Sequence, residues 1–287
     1  MNTKRLFVIL IAVAFALIVL ISCVAVFSVK KVNVEFSVAS DTDISAVEET
    51  LNEYVGKNLL FLKVKDVEEA LKEHYKLKVI HIEKQYPNVL NVKLEERRET
   101  YYLEHGEKVY FLTEEGFVLN VIDNSDFEGN TDRDKIALKI KTIDMNGDNG
   151  VSTESDATLQ DTAIGDTVTM QGDIILSTIF KLAKSVNLTD CIKELRVEKI
   201  IYDSVVAFRD MVITTYTGVK IRIMDVDKRG EEKIKKAFLE YDNASTDYIK
   251  TYKYIMASVE EDGSVSVGWS TVDLSPFDVG QRKNKIR

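Results

Sequence analysis

The chain has 287 residues, a net charge of −9, 45% apolar residues, two prolines and two cysteines. Residues 1–31 hold four basic side chains and no acidic one, so the rest carries 34 basic against 47 acidic groups, a net of −13. That surplus argues against a nonspecific nucleic-acid binder, which needs a basic face. The separation of Cys23 from Cys191 leaves no intramolecular disulfide to expect, so the stability must come from a core.

Leu6–Phe27 is the one long uncharged run. At about 1.5 Å per residue it reaches roughly 33 Å as a helix, enough to cross a hydrocarbon layer of about 30 Å. Lys4 and Arg5 precede it and Lys30 and Lys31 follow, close to a tie by the positive-inside rule. Residues 1–5 are too few for a cytoplasmic domain, so they are read as a short cytoplasmic head, with residues 6–27 as a single transmembrane helix and the bulk of the chain outside. The run is longer than the core of a cleaved signal peptide. Leu20-Ile21-Ser22-Cys23 resembles a lipoprotein cleavage site, but four more apolar residues follow Cys23, which favours an uncleaved anchor.

Val32, Val34 and Phe36 alternate with polar residues and predict a strand almost at the membrane. Asp41-Thr42-Asp43 offers helix caps, and Ile44, Val47, Leu51 and Tyr54 or Val55 follow at helical spacing up to Gly56. Asn58–Leu62 is an apolar connector. A second helix is expected over Asp66–Tyr75, burying Val67, Ala70 and Leu71. Leu77–Tyr86 is a strand carrying Val79, Ile80 and Ile82; Pro87-Asn88 turns; Leu90, Val92 and Leu94 make a third strand.

Short strands continue at Thr100–Glu104, Lys108–Leu112 and Phe117–Ile122, with turns at His105-Gly106 and Glu115-Gly116, and Ile136, Leu138 and Ile140 alternate again. Residues 144–172, polar and rich in Gly, Ser, Thr and Asp, read as a flexible insertion. Ile174–Val186 is a helix. Ile192–Val197, Val205–Phe208, Val212–Tyr216 and Val219–Ile223 are strands, the last pair turned by Thr217-Gly218. Lys228–Tyr241 is a helix. Tyr252–Val259 and Val265–Val272 pair across Glu261-Asp262-Gly263, and residues 276–287 form a basic tail with Arg282, Lys283, Lys285 and Arg287, read as solvated.

No catalytic, cofactor or metal constellation stands out. His74, His81 and His105 lack metal-ligand spacing. Ser28-Val29-Lys30-Lys31 matches an acyl-serine motif without its companion motifs. Glu95-Glu96 and Glu114-Glu115 are adjacent, so in a strand their side chains point to opposite faces. Asp144-Met145-Asn146-Gly147-Asp148 begins like a calcium loop, but Asn149 and Ser155 stand where Gly and Glu are needed. The last strand, Val265–Val272, is a candidate sheet edge able to accept a partner strand. Val265, Val267, Trp269 and Thr271 are its candidate partner-binding residues; Trp269 suits an interface hot spot or a core equally.

Four stretches, VKKVNVEF, VGKNLLFL, IHIEKQYPNVLNVKLEERRETYYLE and KVYFLTEEGFVL, resemble the FtsQ and DivIB family of bacterial cell-division proteins. In the third, Tyr86-Pro87 sits at the hairpin turn and Glu96-Arg97 at its close, with Lys84 where the family has Arg. The resemblance covers Lys30 to about Val121 well and Ile174–Tyr241 loosely. It implies an α+β protein: a transmembrane helix, a β-α-α-β-β POTRA domain over residues 30–97, and a mixed, mainly antiparallel β domain with flanking helices over 98–275. It further implies a non-enzymatic divisome scaffold, with no cofactor, at the septal membrane. The partners implied are FtsL-like and DivIC/FtsB-like bitopic proteins and a septal peptidoglycan synthase, contacted by strand addition near the C-terminal end. A POTRA-bearing translocation component or an anchored lipoprotein are the competing readings.

Overall fold

The computed structural model describes residues 3–37, 45–129, 135–145, 152–160, 162–186 and 192–273. The helix caps expected at Asp41–Asp43, the middle of the calcium-like loop and the basic tail lie outside them. The chain divides into two units, Met1–Arg97 and Arg98–Arg287.

The first unit opens with α1 (Thr3–Val26), whose described apolar side chains, from Phe7 to Val26, are exposed. Over the described residues no helix is long and apolar enough to cross a membrane, so the expectation that Leu6–Phe27 spans one rests on its sequence alone. Next come β1 (Lys31–Phe36), α2 (Ser45–Asn52), α3 (Val64–Ala70), β2 (Leu77–Gln85) and β3 (Val89–Glu96). β3 is central: β1 joins it in parallel and β2 antiparallel, after a turn through a cis Tyr86–Pro87 bond. Leu90, Val92 and Leu94 bury one face of β3 against Val47, Leu51, Tyr54, Leu59, Val67 and Leu71 from the helical side. Of the two candidates beyond α2, Tyr54 is buried and Val55 is exposed. α2 ends at Asn52, short of the expected Gly56; residues 53–56 continue as turns, with the Tyr54 N–H on Leu51 O (3.0 Å) and the Val55 N–H on Asn52 O (3.0 Å), and Gly56 takes φ +88° beyond them, open to glycine without strain. Val79, Ile80 and Ile82 of β2 do not share one environment. A register shift between Val79 and His81 turns Ile80 outward at 43% exposure, while Ile82 stays buried.

The second unit is built on one sheet of ten strands. In chain order they are β4 (Tyr101–His105), β5 (Lys108–Leu112), β6 (Val118–Asp123), β7 (Ile136–Asp144), β8 (Thr153–Asp156), β9 (Ile192–Tyr202), β10 (Val205–Thr215), β11 (Lys220–Ile223), β12 (Tyr254–Val259) and β13 (Val265–Ser270). Across the sheet the order is β13-β12-β11-β10-β9-β7-β4-β5-β6, with β8 paired to β7. The pairs β4/β7, β7/β9 and β11/β12 are parallel and the others antiparallel. Helices α4 (Ile175–Val186), α5 (Gly230–Asp242) and α6 (Thr246–Thr251) complete it. α4 sends Ile175, Leu176, Ile179, Phe180 and Ala183 into the core, and α5 sends Ile234 and Ala237, against Leu138, Ile140, Leu195, Val197, Met211, Ile213, Ile221 and Ile255 of the sheet.

Three expectations change here. Residues 144–172 are no structureless insertion where they are described. β8 pairs with β7, and Ala157, Val168 and Met170 enter the core. β8 escapes detection because Thr153-Glu154-Ser155-Asp156 has no apolar residue and is exposed throughout. Ladder bonds and the pairs Lys141–Asp156 (2.6 Å) and Arg196–Glu154 (2.6 Å) hold it instead. Second, Val205–Thr215 is one strand, not two. The two charges between the expected strands are absorbed: Arg209 binds Asp173 (3.0 Å) and Asp227 (2.8 Å), and Asp210 binds Arg222 (3.1 Å). Asp173 also accepts from the Ile175 N–H, so Arg209 ties the start of α4 to the sheet. Third, α6 was not anticipated, and β12 starts at Tyr254 rather than Tyr252.

Lys233 of α5 is fully buried and donates to the carbonyls of Met224 and Asp225 at the end of β11. Burial pushes its ammonium down from the ordinary 10.5 to about 8, against the opposing pull of Asp225, Asp210 and Asp227. Between those values the unfolded chain binds the extra proton, so this lysine makes stability rise with pH from about 8 to 10.5. Urea midpoints taken across that range are expected to climb in the parent and to lose that component in Lys233→Met.

Candidate partner-binding edge

β13 forms because Val265, Val267 and Trp269 alternate with Ser266, Gly268 and Ser270, and a tight turn folds it onto β12. Gly263 supplies φ +82° in that turn. Asp262 accepts from the Ser264 N–H at 2.8 Å, and Arg229 donates to the Gly263 carbonyl. Hydrogen bonding by Ser264 holds the Asp262 carboxyl below its usual value.

The register decides which main-chain groups face outward. Ala257 pairs with Val267 and Ile255 with Trp269. Ala257 gives its carbonyl to the Met224 N–H (3.0 Å), and Lys253 gives its own to the Lys220 N–H (2.9 Å). Along β12 and the residue before it, the odd-numbered positions therefore spend their main-chain groups on the β11 side. Their opposite numbers on β13 occupy the non-hydrogen-bonded positions of the antiparallel ladder. So Val265, Val267 and Trp269 point their N–H and C=O groups away from the sheet. The Glu260 N–H bonded to Ser264 O at 2.9 Å, across the same turn, fits this alternation. Lys236 Nζ reaches the Val265 carbonyl at 3.4 Å, which leaves Val267 and Trp269 as the more open part of the edge.

The side chains of Val265, Val267 and Trp269 turn the other way. Val265 is buried, and Val267 and Trp269 pack half-buried on the main core. Trp269 is thus both core-packed and partly open. Its ring meets Tyr248 edge-on at 5.3 Å, and Tyr248 lies 4.4 Å from Tyr252, so three aromatic rings flank the edge. The two tyrosines were missed from sequence. The signal was local: Ser245 caps α6 by accepting the Tyr248 N–H (3.2 Å), and Tyr248 and Tyr252 follow at a four-residue step. Thr271 does not belong with the others. β13 ends at Ser270, whose hydroxyl binds Val272 on both sides of a bend, and Thr271 is exposed beyond the ladder.

The remaining candidates are dispersed. Ser28 Oγ donates to the Gly56 carbonyl at 2.8 Å. His74 shares a 2.8 Å hydrogen bond with Thr50. Among the described residues no three His, Cys, Asp or Glu side chains gather to hold a metal ion.

Comparison with curated proteins gives no match. Comparison with family models matches residues 27–97 to the POTRA domain, FtsQ-type. The match begins at Phe27, where α1 gives way to the β-α-α-β-β unit, and closes at Arg97. It covers about a quarter of the chain. Residues 27–97 are a POTRA domain of the FtsQ type, and a chain that sets this domain ahead of a large β sheet is FtsQ/DivIB-like.

Proposed function

We propose that this protein is a non-enzymatic scaffold of bacterial cell division, held in the membrane by Leu6–Phe27 with its bulk outside, that works at the septum through protein–protein contacts. The FtsQ-type POTRA domain is the observation that carries the reading. The uncharged run supports the anchor, and the four apolar residues after Cys23, where a lipoprotein has a polar tether, favour a retained span over cleavage there. FtsL-like and DivIC/FtsB-like bitopic proteins are the proposed partners, with a septal peptidoglycan synthase in the same assembly.

The outward main chain of Val267 and Trp269 supports strand addition at β13. Donors and acceptors there can be satisfied by an incoming strand, while the aromatic rings beside it restrict which side chains fit. Val267→Pro tests this. Its N–H lies outside the ladder to β12, so the fold keeps its hydrogen bonds, and the ring blocks an added strand. The full-length variant is expected to fold, read by its thermal transition. It is expected to bind FtsL-like and DivIC-like partners on the order of a hundredfold more weakly, about 2.7 kcal/mol. A folded variant that retains parental affinity would remove β13 as the contact.

A further inference from the structure

The residues that join α1 to the POTRA domain are pinned by main-chain hydrogen bonds. The Leu59 N–H donates to Phe27 O (2.7 Å), Val29 N–H to Lys57 O (2.9 Å), Gly56 N–H to Val29 O (2.8 Å) and Lys30 N–H to Asn88 O (2.9 Å). The end of the apolar helix therefore sits directly against two turns, Gly56–Phe61 and Tyr86–Asn88. Those turns present large apolar side chains that the domain does not bury. Phe61 is 80% exposed, Tyr86 54% and Leu60 43%, although their neighbours Leu59 and Leu62 are buried. Phe27, the last residue of the uncharged run, meets the Tyr86 ring edge-on at 6.0 Å. Exposed lysines ring the same end: Lys30, Lys31 and Lys57, the last with its ammonium 4.1 Å from the Tyr54 ring.

We infer that this end of the POTRA domain is a lipid-contacting foot, with Leu60, Phe61 and Tyr86 entering the headgroup and acyl boundary of the bilayer that holds α1. The inference rests on the proposed anchor. Given that anchor, the occupant follows from continuity. No spacer separates the helix end from the two turns, so the surface nearest them is the bilayer itself. The chemistry matches as well: aromatic and aliphatic side chains flanked by lysines suit the interfacial layer of an anionic membrane. The tip of the connector is thus exposed because its solvent is lipid, which gives Phe61 an apolar surrounding that water does not.

The full chain, reconstituted in phosphatidylglycerol vesicles with or without bromine on the acyl chains, tests this through tryptophan emission. Phe61→Trp is expected to lose most of its added emission in the brominated vesicles. The parent chain, whose one tryptophan is Trp269, supplies the baseline. Leu10→Trp, inside the apolar run, reports the anchor. Quenching of both variants supports the foot. Quenching of Leu10→Trp with Phe61→Trp unaffected overturns the foot and leaves the anchor standing. No quenching of either overturns the anchor and the foot together.

Discussion

Arg222→Met is expected to destabilise the β unit by about 3 kcal/mol, near the lower end of what breaking a buried ion pair costs. Arg222 lies on the sheet face opposite α4 and α5, yet it is 8% exposed, with Glu198 at 1% and Asp210 at 0%. Its guanidinium donates to Glu198 at 2.6 Å and to Asp210 at 3.1 Å, joining β9, β10 and β11 side by side. The two carboxylates hold the arginine above its ordinary value, against a desolvation penalty that is the largest influence on it. Methionine has a comparable length but no charge, so it fills the space and leaves two buried anions facing each other. Glu198 keeps Arg196 at 2.7 Å, and Asp210 keeps the Asp225 N–H at 2.9 Å, which is why the lower end of the range applies. Adding Asp210→Asn removes one of the facing charges, while its amide oxygen can still accept from Asp225. The double variant is expected to recover about half the loss in urea unfolding. If Arg222→Met is as stable as the parent, the triad is not a structural element.

Gly116→Ala is expected to cost about 3 kcal/mol, or roughly 10 °C in Tm for a unit of this size. Two effects combine. Gly116 sits at φ +79°, where an L side chain costs about 1 kcal/mol. A Cβ there would lie 2.1 Å from Cε2 of Phe180, which is 3% exposed and packs at 5.7 Å on Tyr101. The glycine cannot shift, because its N–H binds Thr113 O (2.9 Å) and its carbonyl accepts from the Val168 N–H (2.9 Å). Phe180→Leu in the same chain is expected to relieve the clash and not the backbone strain. The two substitutions should therefore be non-additive by about 1–2 kcal/mol in calorimetry. Strict additivity would mean that the ring and the glycine do not meet.

The POTRA domain was legible because each level of its sequence agrees. Leu90, Val92 and Leu94 alternate without interruption, Pro87 and Gly56 punctuate where the chain turns, and Val47 and Leu51 hold one helix face. The β unit was legible where apolar periodicity ruled and obscure where charge pairing replaced it. Arg209 and Asp210 fall between the two strands expected there, and their partners, Asp173 and Arg222, lie 36 and 12 residues away. β8 has no hydrophobic pattern to read. The hairpin β12–β13 announced itself through Glu261-Asp262-Gly263, but not which groups of β13 face outward. That depends on β12 pairing in parallel with β11, a contact across α5 and α6 that no local pattern encodes. α6 is too short for its periodicity to show, so Tyr248 and Tyr252 went unseen beside Trp269.

The hydrogen bonds that fasten Phe27, Val29 and Lys30 to the POTRA domain leave no swivel between helix and domain. In a lipid bilayer such a domain cannot tumble on a leash; any tilt or spin of α1 carries it along as a rigid attachment. Its heading is then fixed relative to the helix, and under the proposed anchoring any partner in the same plane would meet it through a two-dimensional search with few orientations left to sample. A glycine-serine insertion after Phe27 would restore that lost freedom, and with it an entropic penalty on any complex of the kind proposed above.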